Sequence, residues 1–166
     1  MTLRTAPHDL VRAVVAEDHR PVAGVHIVKE RHGGRDAAYA VSFEDRDGAL
    51  RRGVLGLCGH DGGAWRPSGA CVGSPRVTGD GDVWMTWGGW GPAQGHEGAV
   101  FGGWVAHAAA VSARVTDMSG RTLQDDVQSG VVLFLYKGDF DLSAARMELL
   151  DAHGVVIRSG PASTRR

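Results

Sequence analysis

The residues best suited to binding in this 166-residue chain are its tryptophans. Four of the five lie close together, at Trp84, Trp87, Trp90 and Trp104, among paired glycines. Exposed aromatic rings beside glycines bind protein partners, sugars or flat ligands. Buried tryptophans instead pack a core, where each removes roughly 150–250 Å² from water. Both interpretations stay open, and the first makes Trp87, Trp90 and Trp104 candidate binding residues.

A histidine lies in the glycine-rich segment between these tryptophans. His96 is followed by Glu97, within the stretch from Gly91 to Gly98. A loop histidine beside a carboxylate suits a general base near neutral pH. The alternative is a solvated loop tip, because adjacent residues rarely orient each other for catalysis. We therefore include His96 among the candidate binding residues and assign no catalytic residue.

Two cysteines and nearby polar residues form a weak metal-ligand pattern. Cys58, His60, Asp61 and Cys71 lie close in sequence, and His96 is a further ligand type for zinc. Cys-x-His is an unusual spacing for a zinc site, so we expect no bound metal and no cofactor. Cys58 and Cys71 are either reduced thiols, which the lack of an export signal favours, or a disulfide that closes the loop between them.

Several motifs of enzymes and metal sites are missing from the sequence. It contains no Gly-Lys pair for a phosphate-binding loop and no Gly-x-Ser-x-Gly nucleophile elbow. Cys-x-x-Cys and His-Glu-x-x-His are missing as well. The sequence therefore favours a non-enzymatic protein, with a cofactor-free enzyme left open as an alternative.

Charge and hydropathy argue against nucleic-acid and membrane partners. The 18 basic and 19 acidic residues leave a net charge of -1, whereas nucleic-acid binders carry a basic excess. The longest stretch without a formal charge, Gly98 to Ala113, is shorter than the roughly 20 residues of a membrane helix. The N-terminus lacks the apolar core of a signal peptide, so we expect a cytoplasmic protein. Sixteen of the basic residues are Arg, and only Lys29 and Lys137 are Lys.

The first third of the chain predicts a helix followed by strands. Leu10, Val11, Val14 and Val15 recur at helical spacing, which predicts a short helix over 9–17 with Asp9 as its N-cap. From residue 25 to 57 the apolar period becomes two, which predicts a three-stranded antiparallel meander in a unit spanning 8–57. Residues 58–82 hold seven glycines and two prolines, so we expect a loop or linker there.

The remainder of the chain predicts a β-sandwich. Seven short apolar-rich runs between Val83 and Arg158 indicate seven antiparallel strands in a unit spanning 83–160, followed by a disordered tail at 161–166. Val131 to Tyr136 is continuously apolar, as in an interior strand covered on both faces. Hairpin turns are indicated where an Asp-x-x-Gly pattern recurs, at 45–48, 117–120 and 151–154.

The order of motifs after residue 84 resembles uncharacterised actinobacterial proteins with an immunoglobulin-like C-terminal sandwich. The resemblance covers about residues 84–158 and rests on Trp-Gly-Gly-Trp at 87–90, Gly-Gly-Trp at 102–104 and the segments 111–123, 125–135 and 148–156. It implies that the seven strands form an immunoglobulin-like sandwich. The resemblance implies no activity and no catalytic residue.

These observations predict a non-enzymatic interaction module that uses a Trp/Gly-rich surface for a protein partner or for self-association. The alternative is a small-molecule-binding protein or a cofactor-free enzyme, with a pocket at the junction of the two halves of the chain. His60, Asp61 and His96 would supply the polar groups of such a pocket.

Overall fold

The computed structural model describes residues 6–59, 63–73, 83–90, 98–138 and 140–162. It is mainly β, with one short N-terminal helix and antiparallel sheets, as the sequence predicts. Among the described residues, no helix is both long and apolar enough to cross a membrane.

Helix α1 spans Pro7–His19 and contains the predicted segment. Its N-cap is Ala6 rather than Asp9, because Pro7 has a φ suited to the first helical position, where no backbone N–H is needed. Asp9 lies in the first turn, where a negative charge is favoured by the helix dipole. Val11 and Val15 are buried and form the predicted apolar face.

The N-terminal sheet contains four strands, where the sequence predicted three. They are paired in chain order: β1 His26–Gly33, β2 Asp36–Glu44, β3 Leu50–Gly59 and β4 Trp65–Gly73. Strand β4 lies within the segment that was expected to be a loop or linker. A bulge hides this strand in the sequence: Gly56 pairs with Gly69 and Leu57 with Pro67, so that Ser68 is an extra residue.

The other strands form two further sheets. The middle sheet has the order β5-β6-β9, and the outer sheet has the order β11-β10-β7-β8. The strands are β5 Val83–Trp90, β6 Gly98–Val105, β7 Ser112–Thr116, β8 Thr122–Asp126, β9 Val131–Lys137, β10 Arg146–Leu150 and β11 Val156–Pro161. Ala162 is buried and donates its N–H to the carbonyl of Ala145 at 2.7 Å, so order extends into the segment expected to be a disordered tail. Residues 163–166 lie outside the described residues.

Three apolar layers hold the elements together. Helix α1 covers one face of the N-terminal sheet through Val11 and Val15, which pack with Tyr39, Phe43 and Leu57. The other face of that sheet packs on the middle sheet through Ala38, Ala40, Val54, Val100 and Leu133. The middle sheet packs in turn on the outer sheet through Phe101, Phe134, Val115, Met147 and Leu149. The middle sheet is therefore covered on both faces.

Strand β9 lies in this middle layer, which explains its continuous apolarity. Val131, Val132 and Leu133 are 0% exposed and Phe134 is 2% exposed. In hydrogen-bonded order, however, β9 is the last strand of the middle sheet and not an interior one. At its outer edge, the backbone N–H of Leu133 donates a hydrogen bond to the Asp125 carboxylate at 2.7 Å.

The three Asp-x-x-Gly segments form the predicted turns. At the first, Asp45 Oδ1 accepts hydrogen bonds from the backbone N–H groups of Asp47 and Ala49, at 3.0 and 2.9 Å. Gly48 has a φ of 74°, which glycine adopts without strain. The same arrangement recurs at 117–120 and 151–154. The repeat is therefore turn chemistry and not a repeated binding unit.

The aspartates of these turns should make the free energy of unfolding fall in acid. Hydrogen bonds from Arg51 and from the Ala49 N–H lower the pKa of Asp45, and those from the Val155 and His153 N–H groups lower the pKa of Asp151. Because the folded-state pKa lies below the unfolded value of about 4, this stabilisation is present above pH 4 and is lost as pH falls through the folded pKa.

Urea unfolding followed from pH 6 to pH 2 should show this loss, and Asp151→Asn should make the pH dependence shallower. The control is the same substitution at the exposed Asp47, which should leave the slope unchanged. Equal slopes for wild type and Asp151→Asn would contradict the role assigned to the turn.

The pairing of β6 with β9 requires glycine at position 102. A Cβ at Gly102 would lie 2.5 Å from the carbonyl oxygen of Val132 and 3.3 Å from a Leu133 methyl carbon. Since backbone must shift to admit it, Gly102→Ala should lower the free energy of unfolding by about 1–3 kcal/mol. Gly160→Ala is the matched control, because a Cβ at Gly160 meets nothing within 4 Å. Urea titration of both variants measures the difference, and equal midpoints would contradict the contact.

Candidate functional site

A β-bulge in β1 directs a lysine toward the C-terminal strands. Ile27 pairs with Val41 and Lys29 pairs with Ala40, so Val28 is an extra residue in β1. Bulges of this kind change the direction of the side chains beside them. The Lys29 side chain is consequently only 7% exposed, and it reaches β8 and β9.

Lys29 belongs to a buried ion cluster, defined here as Lys29, Arg31 and Asp125. Lys29 Nζ donates to Asp125 Oδ2 at 2.6 Å, to the Asp126 carbonyl at 2.5 Å and to the Val131 carbonyl at 3.4 Å. Asp125 Oδ1 accepts a hydrogen bond from Arg31. Asp125 Oδ2 also accepts the Leu133 N–H. The three ammonium protons and both carboxylate oxygens are thus all engaged.

The ion cluster links distant parts of the chain. Lys29 and Asp125 are separated by 96 positions, and the Asp125 side chain is 2% exposed. Burial of two charges costs several kcal/mol per ion, which only close pairing and complete hydrogen bonding offset. The cluster therefore acts first as a structural connection between the N-terminal sheet and β8 and β9.

An open groove of about 480 Å³ lies beside the ion cluster, at the junction of the two halves of the chain. Helix α1 and strand β1 form most of its walls, and Gln128, which follows β8, comes from the second half. Its lining residues are His8, Arg12, Val25, His26, Ile27, Val28, Lys29, Glu30 and Gln128. Five lining side chains with nitrogen donors, His8, Arg12, His26, Lys29 and Gln128, thus line the groove with one carboxylate, Glu30.

Glu30 connects the groove to a buried tyrosine. Its carboxylate contacts His8 Nε2 and lies 3.6 Å from His32 Nε2. The rings of His8 and His32 meet the Tyr39 ring edge-on, with centroid distances of 5.7 and 5.8 Å. Tyr39 is 0% exposed, and burial together with Glu30 raises its pKa to about 12. The phenol therefore stays neutral near pH 7 and is not a general base there.

Cys58 lies on the opposite side of the N-terminal sheet from α1. It pairs with Asp36 on β2 and with Arg66 on β4. Burial, followed by the nearby Asp36 carboxylate, raises the pKa of the Cys58 thiol, which makes it a poor nucleophile. Among the described residues, no group donates a hydrogen bond to Asp36 Oδ1.

The strand register argues against a disulfide between the two cysteines. Cys58 is a free thiol, and Cys71 pairs with Val54, four positions from Cys58 along β3. Four strand residues span about 13 Å, well beyond the roughly 7 Å limit between bridged Cα atoms. The disulfide alternative is therefore wrong for this fold.

The structure places one of the four candidate binding residues in the core. Trp104 is 7% exposed and packs between the N-terminal and middle sheets, with the Arg52 guanidinium 5.5 Å from its ring centroid. This supports core packing at Trp104 rather than an exposed platform. Trp87 and Trp90 lie in β5, paired with Phe101 and Gly98, and their binding role stays a prediction.

The remaining sequence candidates, His60, Asp61 and His96, lie outside the described residues. Within the described part of the chain, no group of three or more His, Cys, Asp or Glu side chains is placed to hold a metal ion. The groove residues and the ion cluster were not predicted from the sequence. A lysine inside an apolar strand of an arginine-rich chain was the one available signal for the cluster.

Exposed valines gather at one end of the outer sheet. Val111, Val155 and Val156 are 44%, 57% and 40% exposed, and we call them the valine patch. The buried Leu150 lies between them: it pairs with Val156, and its carbonyl accepts a hydrogen bond from the Val111 N–H at 2.9 Å. The patch borders β11, the last strand in the order of the outer sheet.

Comparisons with protein-family models, with curated proteins and with solved structures find no match to this chain. The groove, the ion cluster and the valine patch are therefore the features of this chain that bear on its function.

Proposed function

We propose that this chain is a non-enzymatic interaction module whose partner is a protein or a second copy of itself. The observation that carries the proposal is the valine patch beside the edge strand β11. Exposed apolar residues that gather at one end of a sheet are a feature of interaction surfaces. A cytoplasmic location is part of the proposal, and the free thiol of Cys58 agrees with it.

Two of the edge strands, β1 and β11, differ in how they are protected. Edge strands resist unwanted pairing through charged side chains or proline. Strand β1 carries Lys29, Glu30 and Arg31 in succession. Strand β11 begins with Val156 and Ile157 and has its proline only at its last position, Pro161. The half of β11 next to the valine patch is thus the less protected edge and suits addition of a partner strand.

The proposal includes an immunoglobulin-like arrangement of the strands after residue 83. Its support is the face-to-face packing of the middle and outer sheets through one apolar layer. It also includes Trp87 and Trp90 on β5, since β5 ends the order of the middle sheet. Trp104 is left out of the interaction surface because it is buried.

Light scattering after size-exclusion chromatography tests the valine patch. We expect wild type to self-associate with rising concentration and Val156→Asp to shift it toward monomer. Met118→Asp is the matched control, because Met118 is 76% exposed at the opposite end of the same sheet and should not change the mass. A monomer at every concentration, with pull-down partners unchanged by Val156→Asp and Trp90→Ala, would contradict the proposal.

The groove supports a second candidate function, the binding of a small anionic ligand. A cleft of about 480 Å³ is within the usual size range of ligand sites, and such sites favour junctions between structural units. His8, Arg12 and His26 outnumber the single carboxylate of Glu30, so the groove suits a carboxylate or phosphate group better than a cation.

A thermal-shift screen of small carboxylates and phosphates tests this second function. A ligand present at 100 times its dissociation constant should stabilise the fold by about 2.7 kcal/mol. Arg12→Ala should abolish the shift, whereas Arg46→Ala, in the exposed turn at 45–48, should retain it. A shift that survives Arg12→Ala, or none with any anion, would exclude the groove as this site.

A further inference from the structure

We propose that Lys29 and Asp125 become joined by an intramolecular amide bond between Lys29 Nζ and Asp125 Cγ. This modification is independent of the proposed interaction function. It would convert the ion cluster into a permanent link between β1 and β8.

The two groups are held in contact before any reaction. Lys29 Nζ lies 2.6 Å from Asp125 Oδ2, and the two side chains are 7% and 2% exposed. The bulge in β1 fixes the lysine, and the Leu133 N–H and Arg31 fix the carboxylate. Well-oriented intramolecular reactions reach effective concentrations of roughly 10⁵–10⁸ M, so such an arrangement strongly favours attack of nitrogen on the adjacent carbon.

The choice of lysine at this position supports the proposal. Sixteen of the 18 basic residues are Arg, and the only other lysine is Lys137, at the exposed end of β9. An arginine would serve an ion pair well but cannot lose its proton in a protein. A lysine amine can be deprotonated when it is buried, and it is then a nucleophile. The chain thus has its one buried lysine in contact with a carboxylate.

The reaction balances without any other reactant. Lys29 passes one proton through its hydrogen bond to Asp125 Oδ2, and the neutral nitrogen attacks Cγ. Arg31, which donates to Oδ1, stabilises the negative charge that develops on that oxygen. A second proton moves from nitrogen to Oδ2 as the Cγ–Oδ2 bond breaks, so that Oδ2 leaves as water. One ammonium and one carboxylate give one neutral amide and one water.

The product keeps two of the hydrogen bonds of the ion cluster. The single remaining N–H has the Asp126 carbonyl as its acceptor, and Oδ1 keeps the hydrogen bond from Arg31, whereas the Leu133 N–H loses Oδ2 as its acceptor. The released water has an exit, because Lys29 and Gln128 also line the open groove. Because the ion pair must transfer a proton before nitrogen can attack, we expect the bond to form slowly after folding.

Intact mass spectrometry under denaturing, reducing conditions tests the proposal on freshly purified protein and on protein aged for days at 37 °C. We expect wild type to lose the mass of one water, partly when fresh and completely when aged. Lys137→Arg should behave like wild type, and Lys29→Arg should keep the full mass. Trypsin should yield a branched peptide that joins residues 13–31 to residues 122–137, since an amide at Lys29 blocks cleavage there.

Two results would overturn the proposal. One is full mass in both fresh and aged wild type, which shows that the pair stays ionic. The other is a loss of water that persists in Lys29→Arg, because a cyclised aspartate elsewhere in the chain has the same mass change. The wild-type peptide map separates the two cases on its own, because a cyclised aspartate yields no branched peptide, so a poorly folded variant does not blur the outcome.

Discussion

Replacing Asp125 with alanine is expected to lower the free energy of unfolding by about 3–5 kcal/mol relative to fresh protein whose Lys29–Asp125 pair is still ionic, the usual cost of removing one partner of a buried ion pair. The substitution leaves the Lys29 side chain, which is 7% exposed, without its carboxylate partner. It also removes the acceptor of the Leu133 N–H at the edge of β9. Both losses fall where the N-terminal sheet meets β8 and β9, so unfolding should begin at that junction.

Urea titration followed by tryptophan fluorescence measures the change. Asp126→Ala is the matched control, because Asp126 is the exposed neighbour and contributes only its backbone carbonyl to Lys29. That control should stay within about 0.5 kcal/mol of wild type, as surface substitutions usually do. Equal midpoints for Asp125→Ala and wild type would mean that the ion cluster does not hold the two halves together.

The ion cluster also shows why the sequence could not reveal the candidate site. Lys29 and Asp125 are separated by 96 positions, and no local pattern relates them. The bulge at Val28 interrupts the period of two, so the direction of Lys29 follows from pairing with β2 and not from sequence spacing. The groove is likewise formed by segments that are distant in sequence, because its walls come from α1, β1 and the segment after β8.

Features that depend on local chemistry were predictable. The helix follows from four apolar residues at helical spacing, and two of them, Val11 and Val15, are buried. The turns follow from an Asp that accepts backbone hydrogen bonds and a Gly with positive φ, as at Asp45 and Gly48. In both cases a few neighbouring residues contain all the necessary information.

Features that depend on pairing between strands could not be predicted from the sequence. Strand β4 was missed because the extra residue Ser68 and several glycines hide its alternation. Trp104 was ambiguous, since a tryptophan suits a core and a binding surface equally well until its neighbours are known. The same limit applies to β9: its apolarity showed that both faces are covered, but not that it ends the order of its sheet.

The double coverage of β9 leads to the second large expected effect. Leu133 is 0% exposed and packs between the N-terminal and middle sheets with Ala38, Ala40 and Val100. Leu133→Asp would bury a second carboxylate in an apolar layer, next to the Asp125 carboxylate that accepts the N–H of residue 133. We expect it to lower the free energy of unfolding by more than about 4 kcal/mol, enough to unfold a domain of ordinary stability.

Circular dichroism and urea titration measure this effect, with Val155→Asp as the control. Val155 is an apolar residue like Leu133, but it is 57% exposed, so an aspartate at position 155 stays hydrated. That variant should fold like wild type, even where it weakens self-association through the valine patch. A cooperatively folded Leu133→Asp protein with a near wild-type midpoint would mean that β9 is open on one face, because only solvent on that side can accommodate the charge at so small a cost.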